Sequence, residues 1–390
     1  MALEIMEGSI AVAQAVRRCR PQVVSAYPIT PQTHIVEALA EIVANGELAA
    51  DYITVESEFS ALSACVGAVA AGSRAYSATT SQGLALMFEV CFNMAGMRLP
   101  IVMTIANRAL GAPLSIWNDQ QDSISLRDAG WLQFYAEDNQ EAVDLHYIGY
   151  RVAEDHRVLL PTMVCFDGFI LSHTYEPVNM LTQEEADAFL PPFVPKYRLD
   201  AASPVSMGMY ATPEYYLEFR YETDQAQKRA LDVIREVGRE FGERFGRDYS
   251  ALVESYRMED AETAIVAMGS ICGTTKDAID EMRAEGKRVG LVRLRCFRPF
   301  PSEDLKAALA GASRVAVLDK NIVLGAGGST PRGAVALEVR DALYGSTTPV
   351  LDYVIGLGGR DVRIEDIRKV VALSEAGDGD RFYGLRTEVL

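Results

Sequence analysis

The chain has 390 residues, 49% of them hydrophobic and 23% charged, with a formal net charge of −17. That length predicts two or three domains, each able to bury its own core. The acidic balance argues against nucleic acid and anionic membrane as partners. No segment reaches the roughly 18 apolar residues of a membrane span, and the start carries acidic residues where a signal peptide needs positive ones, so a cytoplasmic location is expected.

Short apolar runs alternate with helical patterns through the first two-thirds of the sequence, the signature of a parallel α/β sheet. Residues 8–19 predict a helix, and 23–27 a strand that stops at Pro28. A helix at about 32–45, a strand at 52–55, a helix rich in small residues at 59–72 and a strand at 75–79 follow. Next come a helix at 84–95 and strands at 101–105, 133–135 and 159–166. Residues 176–220 are rich in Pro, Tyr and Met without clear periodicity, and read as a wrapping segment. A charged helix over about 222–246 reads as a solvated face bridging domains. A second α/β unit begins near 261, with strands at 263–268, 289–294, 315–318 and 349–354. The expected organisation is a parallel-sheet domain with its wrapping segment over 1–235, a linker-helix region over 236–258, a second α/β domain over 259–370 and a tail over 371–390.

The six cysteines (Cys19, Cys65, Cys91, Cys165, Cys272 and Cys296) are scattered, and no two are separated by only two residues. They read as small core hydrophobes and leave no closely spaced ligand set for an iron–sulfur cluster. Four dispersed histidines give no zinc pattern, and no metal site is expected in this chain. Two glycine-rich stretches are decoys. Residues 325–329 lack the spacing of a dinucleotide fingerprint. Gly377-Asp378-Gly379-Asp380 is similar to the start of a thiamine-diphosphate metal motif, but the chain ends ten residues on, so it reads as a flexible acidic tail.

Ligands of open parallel sheets bind at the carboxyl ends of strands, near a switch in strand order. Pro28-Ile29-Thr30-Pro31 follows the first strand and Glu56-Ser57-Glu58 the second. Thr79-Thr80-Ser81-Gln82-Gly83 ends the third, and Asn107-Arg108 ends the fourth. One hydroxyl, one carboxylate, an amide-bearing turn and one guanidinium thus converge on a single rim, which suits a small anionic substrate beside a nitrogen heterocycle. Glu58 precedes an uncharged helix of the kind that is buried, so its carboxylate would be partly desolvated and suited to sharing a proton with a ligand. A helix-capping acid is the alternative. Arg108 could grip a carboxylate bidentately or form a domain-edge salt bridge. Thr30 is held between two prolines, as a rigidly presented hydroxyl or as part of a simple tight turn. The polar loop Asn118-Asp119-Gln120-Gln121-Asp122 could line the cleft, meet a partner chain or be solvated.

Together, Tyr27-Pro28-Ile29-Thr30-Pro31, Glu58 with its small-residue helix, Ser81-Gln82-Gly83-Leu84 and Asn107-Arg108-Ala109-Leu110 resemble the pyrimidine-domain motifs of 2-oxoacid:ferredoxin oxidoreductases. So do Ser115-Ile116-Trp117-Asn118-Asp119 and Phe166-Asp167-Gly168-Phe169, while Arg295-Cys296-Phe297-Arg298-Pro299-Phe300-Pro301 resembles the second, transketolase-C-terminal-like domain of the same alpha subunits. The match runs in order over about 1–370. The resemblance implies a thiamine-diphosphate-binding, pyrimidine-type parallel-sheet domain followed by a transketolase-C-terminal-like α/β domain. It implies that Glu58 hydrogen-bonds N1′ of the aminopyrimidine, with Pro28, Ile29, Ser81 and Gln82 around the cofactor. Thr30 and Arg108 would hold the oxygens of a 2-oxoacid, in a pocket walled by Leu114, Ile116 and Asn118.

Only the pyrimidine end of the cofactor would belong to this chain. A beta subunit would carry the pyrophosphate domain and its Mg2+. Gamma and ferredoxin-like delta subunits would accompany it, with [4Fe-4S] clusters on partner subunits, ferredoxin as acceptor and coenzyme A as co-substrate. Pyruvate is the expected substrate, with branched-chain or aromatic 2-oxoacids as alternatives. Two readings compete. A nicotinamide dehydrogenase needs a glycine fingerprint after the first strand, where this chain has Pro28. A non-catalytic scaffold would leave Thr30, Glu58 and Arg108 scattered.

Overall fold

In a computed structural model of the chain, residues 2–327 and 329–390 are described. The first part runs β1 (Ala2–Glu7), α1 (Gly8–Arg18), β2 (Val23–Ser25), α2 (Thr33–Ala44), β3 (Asp51–Ile53), α3 (Glu58–Ala70) and β4 (Ala75–Thr79). It continues through α4 (Ser81–Leu86), α5 (Phe88–Gly96), β5 (Val102–Asn107), α6 (Gln121–Ser125), β6 (Leu132–Tyr135), α7 (Asn139–Ala153) and β7 (Thr162–Asp167). Next come β8 (Tyr175–Met180), α8 (Gln183–Phe189) and the long α9 (Tyr216–Phe245). The second part runs β9 (Val253–Tyr256), β10 (Thr263–Ala267), α10 (Ile271–Ala284), β11 (Val289–Leu294), β12 (Cys296–Arg298) and α11 (Ser302–Leu309). It ends with β13 (Arg314–Asp319), α12 (Ala334–Ala342), β14 (Val350–Val354), α13 (Ile364–Glu375) and β15 (Arg381–Phe382).

The first sheet has the order β12-β6-β7-β5-β4-β2-β3. All its pairings are parallel except that of the edge strand β12 with β6. The central strands β4, β5 and β7 are buried at every position, as expected of strands covered on both faces. From β2 the chain moves outward to β3, then returns to β4 on the other side. The change of strand order therefore falls between β2 and β4, where a crevice opens at the carboxyl ends.

The second sheet has the order β15-β14-β13-β10-β11-β9 and is parallel except for β9. Because β12 lies in the first sheet, the second part of the chain is stitched into the first. One hydrophobic cluster runs through both, joining Leu84, Ile105 and Trp131 to Val266, Val292 and Val315. A buried ionic cluster adds to this junction. Glu141 of α7 accepts hydrogen bonds from Arg293 and Arg295. Burial pushes the Glu141 carboxyl up, but the two guanidiniums outweigh it and hold the group below the usual range.

Several elements differ from the sequence expectation. Residues 176–220 hold regular structure: β8 pairs with β1, and α8 carries a full capping box at Thr182. The helix expected at 222–246 begins at Tyr216. Residues 236–258 are not a linker, because α9 packs into the first core through Ala226, Ala230, Val233, Val237 and Phe241, and β9 belongs to the second sheet. That apolar stripe was hidden among charges such as the Asp224–Lys228 and Glu240–Arg244 pairs one turn apart. The glycine-rich acidic stretch at 377–380 is not a loose tail: Asp380 pairs with Arg332 and Arg340, and β15 extends the sheet just beyond it. All six cysteines are buried and unbridged. Among the described residues, no helix is long and apolar enough to cross a membrane.

Candidate active site

The crevice at the switch is built from the segments that follow β2, β4, β5 and β7, together with the first turn of α3. Ser57 caps α3, accepting a hydrogen bond from Ser60 N, so the acid one position later lies inside the helix rather than acting as its cap. Glu58 is 7% exposed. Its carboxylate makes no hydrogen bond or ion pair among the described residues, whereas the buried acids Glu141 and Glu154 are each paired with arginine. Gly83 lies directly against it: a β-carbon there would fall 2.7 Å from Glu58 Oε1 and 2.6 Å from Thr79 Oγ1. Thr79 Oγ1 is itself buried without a partner. The Glu58 carboxylate and the Thr79 hydroxyl, neither with a hydrogen-bond partner among the described residues, thus flank a position where only glycine fits.

The turn after β2 is held by a residue that the sequence did not single out. Buried Gln32 donates to Ala78 O at 2.6 Å and accepts from Ile29 N at 3.4 Å, stapling residues 28–31 to β4. Thr30 is exposed on this turn, and its carbonyl accepts a hydrogen bond from Arg108 Nη1 at 2.7 Å. Arg108 is 6% exposed, and its Nε donates to Ser115 O at 3.0 Å. Burial lowers its pKa, with Asp122 opposing. Two edges of the guanidinium are therefore pinned to backbone carbonyls, and Nη2 has no partner among the described residues.

Asp122 organises the rim. Its Oδ2 accepts from Ser81 N at 2.9 Å and Arg108 N at 3.0 Å; its Oδ1 accepts from Asn107 Nδ2 at 2.7 Å and Ser123 N at 2.8 Å. One fully buried carboxyl, pushed up to about 7 by desolvation against these donors, thereby fixes the ends of β4 and β5 relative to each other. Ser81 adopts a left-handed φ of 48° at the strand-to-helix corner, a strained conformation typical of functional turns, and its Oγ donates to Ala109 O at 2.5 Å. Gln82 Nε2 lies close to Gly111. Gly168, after β7, touches Pro31 and Asn107 so closely that a β-carbon would fall 2.6 Å from each.

Thr30, Arg108, Ser81 and Gln82 therefore share one contact network, which reaches Glu58 through Gly83. Pro28 is exposed and Ile29 half-buried on the same turn. Leu114, 76% exposed, and Ile116 stand on the outer face of the 111–117 loop, so no closed apolar wall forms within this chain. Asn118 is buried, donating to Asn107 O at 3.1 Å and accepting from Lys320 Nζ. The loop turns inward at Trp117 and carries its polar residues to the second sheet. Three groups dispersed in the sequence, Glu7, His34 and His173, also meet beside the rim, with His34 Nδ1 2.6 Å from Glu7 Oε1. A cavity of about 1060 Å³ lies between α3, α5, residues 193–211 and α9, with a mostly apolar lining.

The orphaned Glu58 carboxylate, the partnerless Thr79 hydroxyl and the Gly83 gap suit the polar edge of a heterocycle such as the aminopyrimidine of thiamine diphosphate. The acids of the 377–380 stretch are engaged by Arg332, Arg340 and Arg381.

Residues 14–239 match the family described as pyruvate flavodoxin/ferredoxin oxidoreductase, thiamine-diphosphate-binding, and 261–367 match pyruvate:ferredoxin oxidoreductase core domain II. The pyruvate synthase subunit PorA of Methanothermobacter thermautotrophicus is 53% identical over 375 residues, 96% of each chain. The ketoisovalerate oxidoreductase subunit VorA of Pyrococcus horikoshii is 50% identical over 370 residues, 94% of this chain and 92% of that one. In fold, the 2-oxoglutarate:ferredoxin oxidoreductase of Magnetococcus marinus superposes with a TM-score of 0.72 at 20% identity, over 96% of this chain and 65% of that one. A split-gene transketolase superposes with a TM-score of 0.53 at 14% identity, over 96% and 98%. The pyrimidine-type sheet, the transketolase-like second sheet and two family matches spanning most of the sequence lead to one conclusion: this chain belongs to the pyruvate:ferredoxin oxidoreductase family and is its alpha-type subunit.

Proposed function

We propose that this chain supplies the pyrimidine-binding half of a thiamine-diphosphate active site for oxidative decarboxylation of a 2-oxoacid, with pyruvate as the substrate. The observation that carries this is the partnerless, buried carboxylate of Glu58 at the strand-order switch, against Gly83. Thiamine diphosphate, when bound, supplies an electron sink at the carbon undergoing decarboxylation. Glu58 holds a proton on the ring nitrogen N1′ and so sets which nitrogen of the pyrimidine carries protons. Ser81 and Gln82, with Pro28 and Ile29, shape the walls around that ring.

Arg108 grips the substrate carboxylate with the edge left free by its bonds to Thr30 O and Ser115 O. Because those bonds already fix the guanidinium, little orientational freedom is lost on binding. The Thr30 hydroxyl holds a second substrate oxygen. Leu114 and Ile116 give the open side an apolar surface that a beta subunit would close, and that subunit would also carry the diphosphate with its Mg2+. Electrons would pass to [4Fe-4S] clusters on gamma- or delta-type partners and on to ferredoxin, and the acyl group to coenzyme A.

A branched-chain 2-oxoacid is the second reading, favoured by the 50% identity to the ketoisovalerate relative. One methylene changes apolar-pocket selectivity by only about 1–3 kcal/mol. The test is a panel of 2-oxoacids assayed with the reconstituted complex and a viologen acceptor. Highest kcat/KM for pyruvate is expected; a preference for 2-oxoisovalerate would transfer the assignment, and no turnover of any 2-oxoacid would refute it.

A further inference from the structure

The carboxyl ends of the two sheets face each other, and the edge of the second is filled by the loop that leaves the first. Lys320 follows β13 and is 5% exposed. Its ammonium donates to Asp167 Oδ2 at 3.0 Å, at the end of β7, and to Asn118 Oδ1. Gln120 Nε2 donates to Met268 O at 3.1 Å, after β10, and Gln120 N to Lys320 O at 2.8 Å. Asp119 Oδ2 accepts from Gly358 N at 2.9 Å, after β14. Gly359 lies against Trp117, where a β-carbon would fall 2.4 Å from Trp117 Cβ. The second sheet's own ligand edge is thereby spent on gripping residues 117–120.

That grip reaches the substrate side of the loop in two steps. Asn118, held by Lys320, donates to Asn107 O, the residue before Arg108. Ala109 N donates to Trp117 O at 3.0 Å, and Arg108 Nε to Ser115 O at 3.0 Å, closing residues 107–118 into one loop. Asp167 has one oxygen without a partner, so removing the ammonium leaves a fully buried carboxylate with little more than Ser270 to satisfy it.

We propose that Lys320 is a positioning residue for 2-oxoacid binding: it joins the ends of β7 and β13 to Asn118 and so sets the loop that aims Arg108 at the crevice. The second domain then governs substrate affinity without touching substrate. This rests on the reading of Arg108 as the carboxylate grip. An ammonium at this spot acts through two directed bonds, and a misplacement of about 1 Å in such a support can cost as much as 10²-fold in rate.

The test compares Lys320→Gln, Asn118→Ser and Arg108→Ala in the reconstituted complex, with steady-state kinetics, thiamine diphosphate titration and thermal melting. Lys320→Gln and Asn118→Ser should each raise the 2-oxoacid KM roughly tenfold with kcat reduced far less, and the concentration of thiamine diphosphate for half-activation should be unchanged. Asn118→Ser keeps the Lys320–Asp167 pair, so it decides the matter if Lys320→Gln does not fold. Unchanged KM in Asn118→Ser, or loss of kcat and cofactor affinity together with normal KM, overturns the positioning role. If Arg108→Ala also leaves KM unchanged, it is the carboxylate-grip reading that has failed; if only Arg108→Ala raises it, Lys320 alone is misassigned.

Discussion

Glu58 enters α3 behind a serine that already caps the helix, so its carboxylate is not needed there. Acidic side chains with so little exposure are seldom left without a partner, which is why its isolation is informative. Gly83 provides the space in which that carboxylate sits. Gly83→Ala should place a methyl group 2.7 Å from Glu58 Oε1 and displace it. We expect the variant to assemble with a somewhat lowered melting temperature and to lose roughly 10²-fold or more in kcat. Normal turnover would show that the acid needs no such fit. The sequence exposed Glu58, Thr30 and Arg108 because each ends a strand or begins a helix, where periodicity locates residues well. It named Asp122 and Thr79 only as members of a loop and a turn, and it passed over Gln32; Asp122 and Gln32 act through partners 41 and 46 positions away that only the folded chain brings together. The bond from Lys320 to Asn118 was hidden for the same reason: a polar residue near the crevice can serve a neighbouring sheet.

Among the elements, the parallel strands were legible from uninterrupted apolar runs, whereas β1, β8, β9 and β12 were not. Short edge strands with mixed burial leave little pattern, and β12 draws its meaning from a sheet some 160 residues earlier in the chain. The glycine-rich stretch before α12 illustrates a different limit. The first amides of that helix are taken by the chain's own acids: Gly333 N donates to Asp352 and Val335 N and Ala336 N donate to Asp319. A phosphate would find them occupied.

These two acids are buried side by side. Desolvation, with the neighbouring Asp352 carboxylate adding to it, raises Asp319 well above its ordinary 3.8, and burial pushes Asp352 up to about 6. A folded-state pKa above the unfolded value means that stability from this pair is complete below about pH 4 and declines as pH rises through about 6. Asp352→Asn should remove that slope, raising the melting temperature relative to the parent above pH 6 and less below pH 4. Parallel melting curves for the two proteins across pH 4–7 would contradict the pairing.

At the scale of the whole molecule, the proposed function makes the chain half of a larger site. Its crevice holds groups for a pyrimidine and a carboxylate, but Leu114, Ile116 and Trp117 stand open beside it. The two sheets are locked together by β12, by the Glu141–Arg293–Arg295 cluster and by Lys320. We therefore expect the second part of the chain to act as a rigid backing rather than a lid. The isolated chain should bind thiamine diphosphate weakly, and the complex with its beta subunit tightly. Calorimetric titration showing tight, stoichiometric binding to the isolated chain would contradict a divided site.

The most direct measurement is turnover by Glu58→Gln in the reconstituted complex, with subunit assembly and thiamine diphosphate content verified. An amide of nearly the same shape cannot hold or release the proton at N1′, so the account predicts an assembled, cofactor-loaded enzyme whose 2-oxoacid-dependent viologen reduction falls at least about 10²-fold. An assembled variant with parental turnover would contradict it.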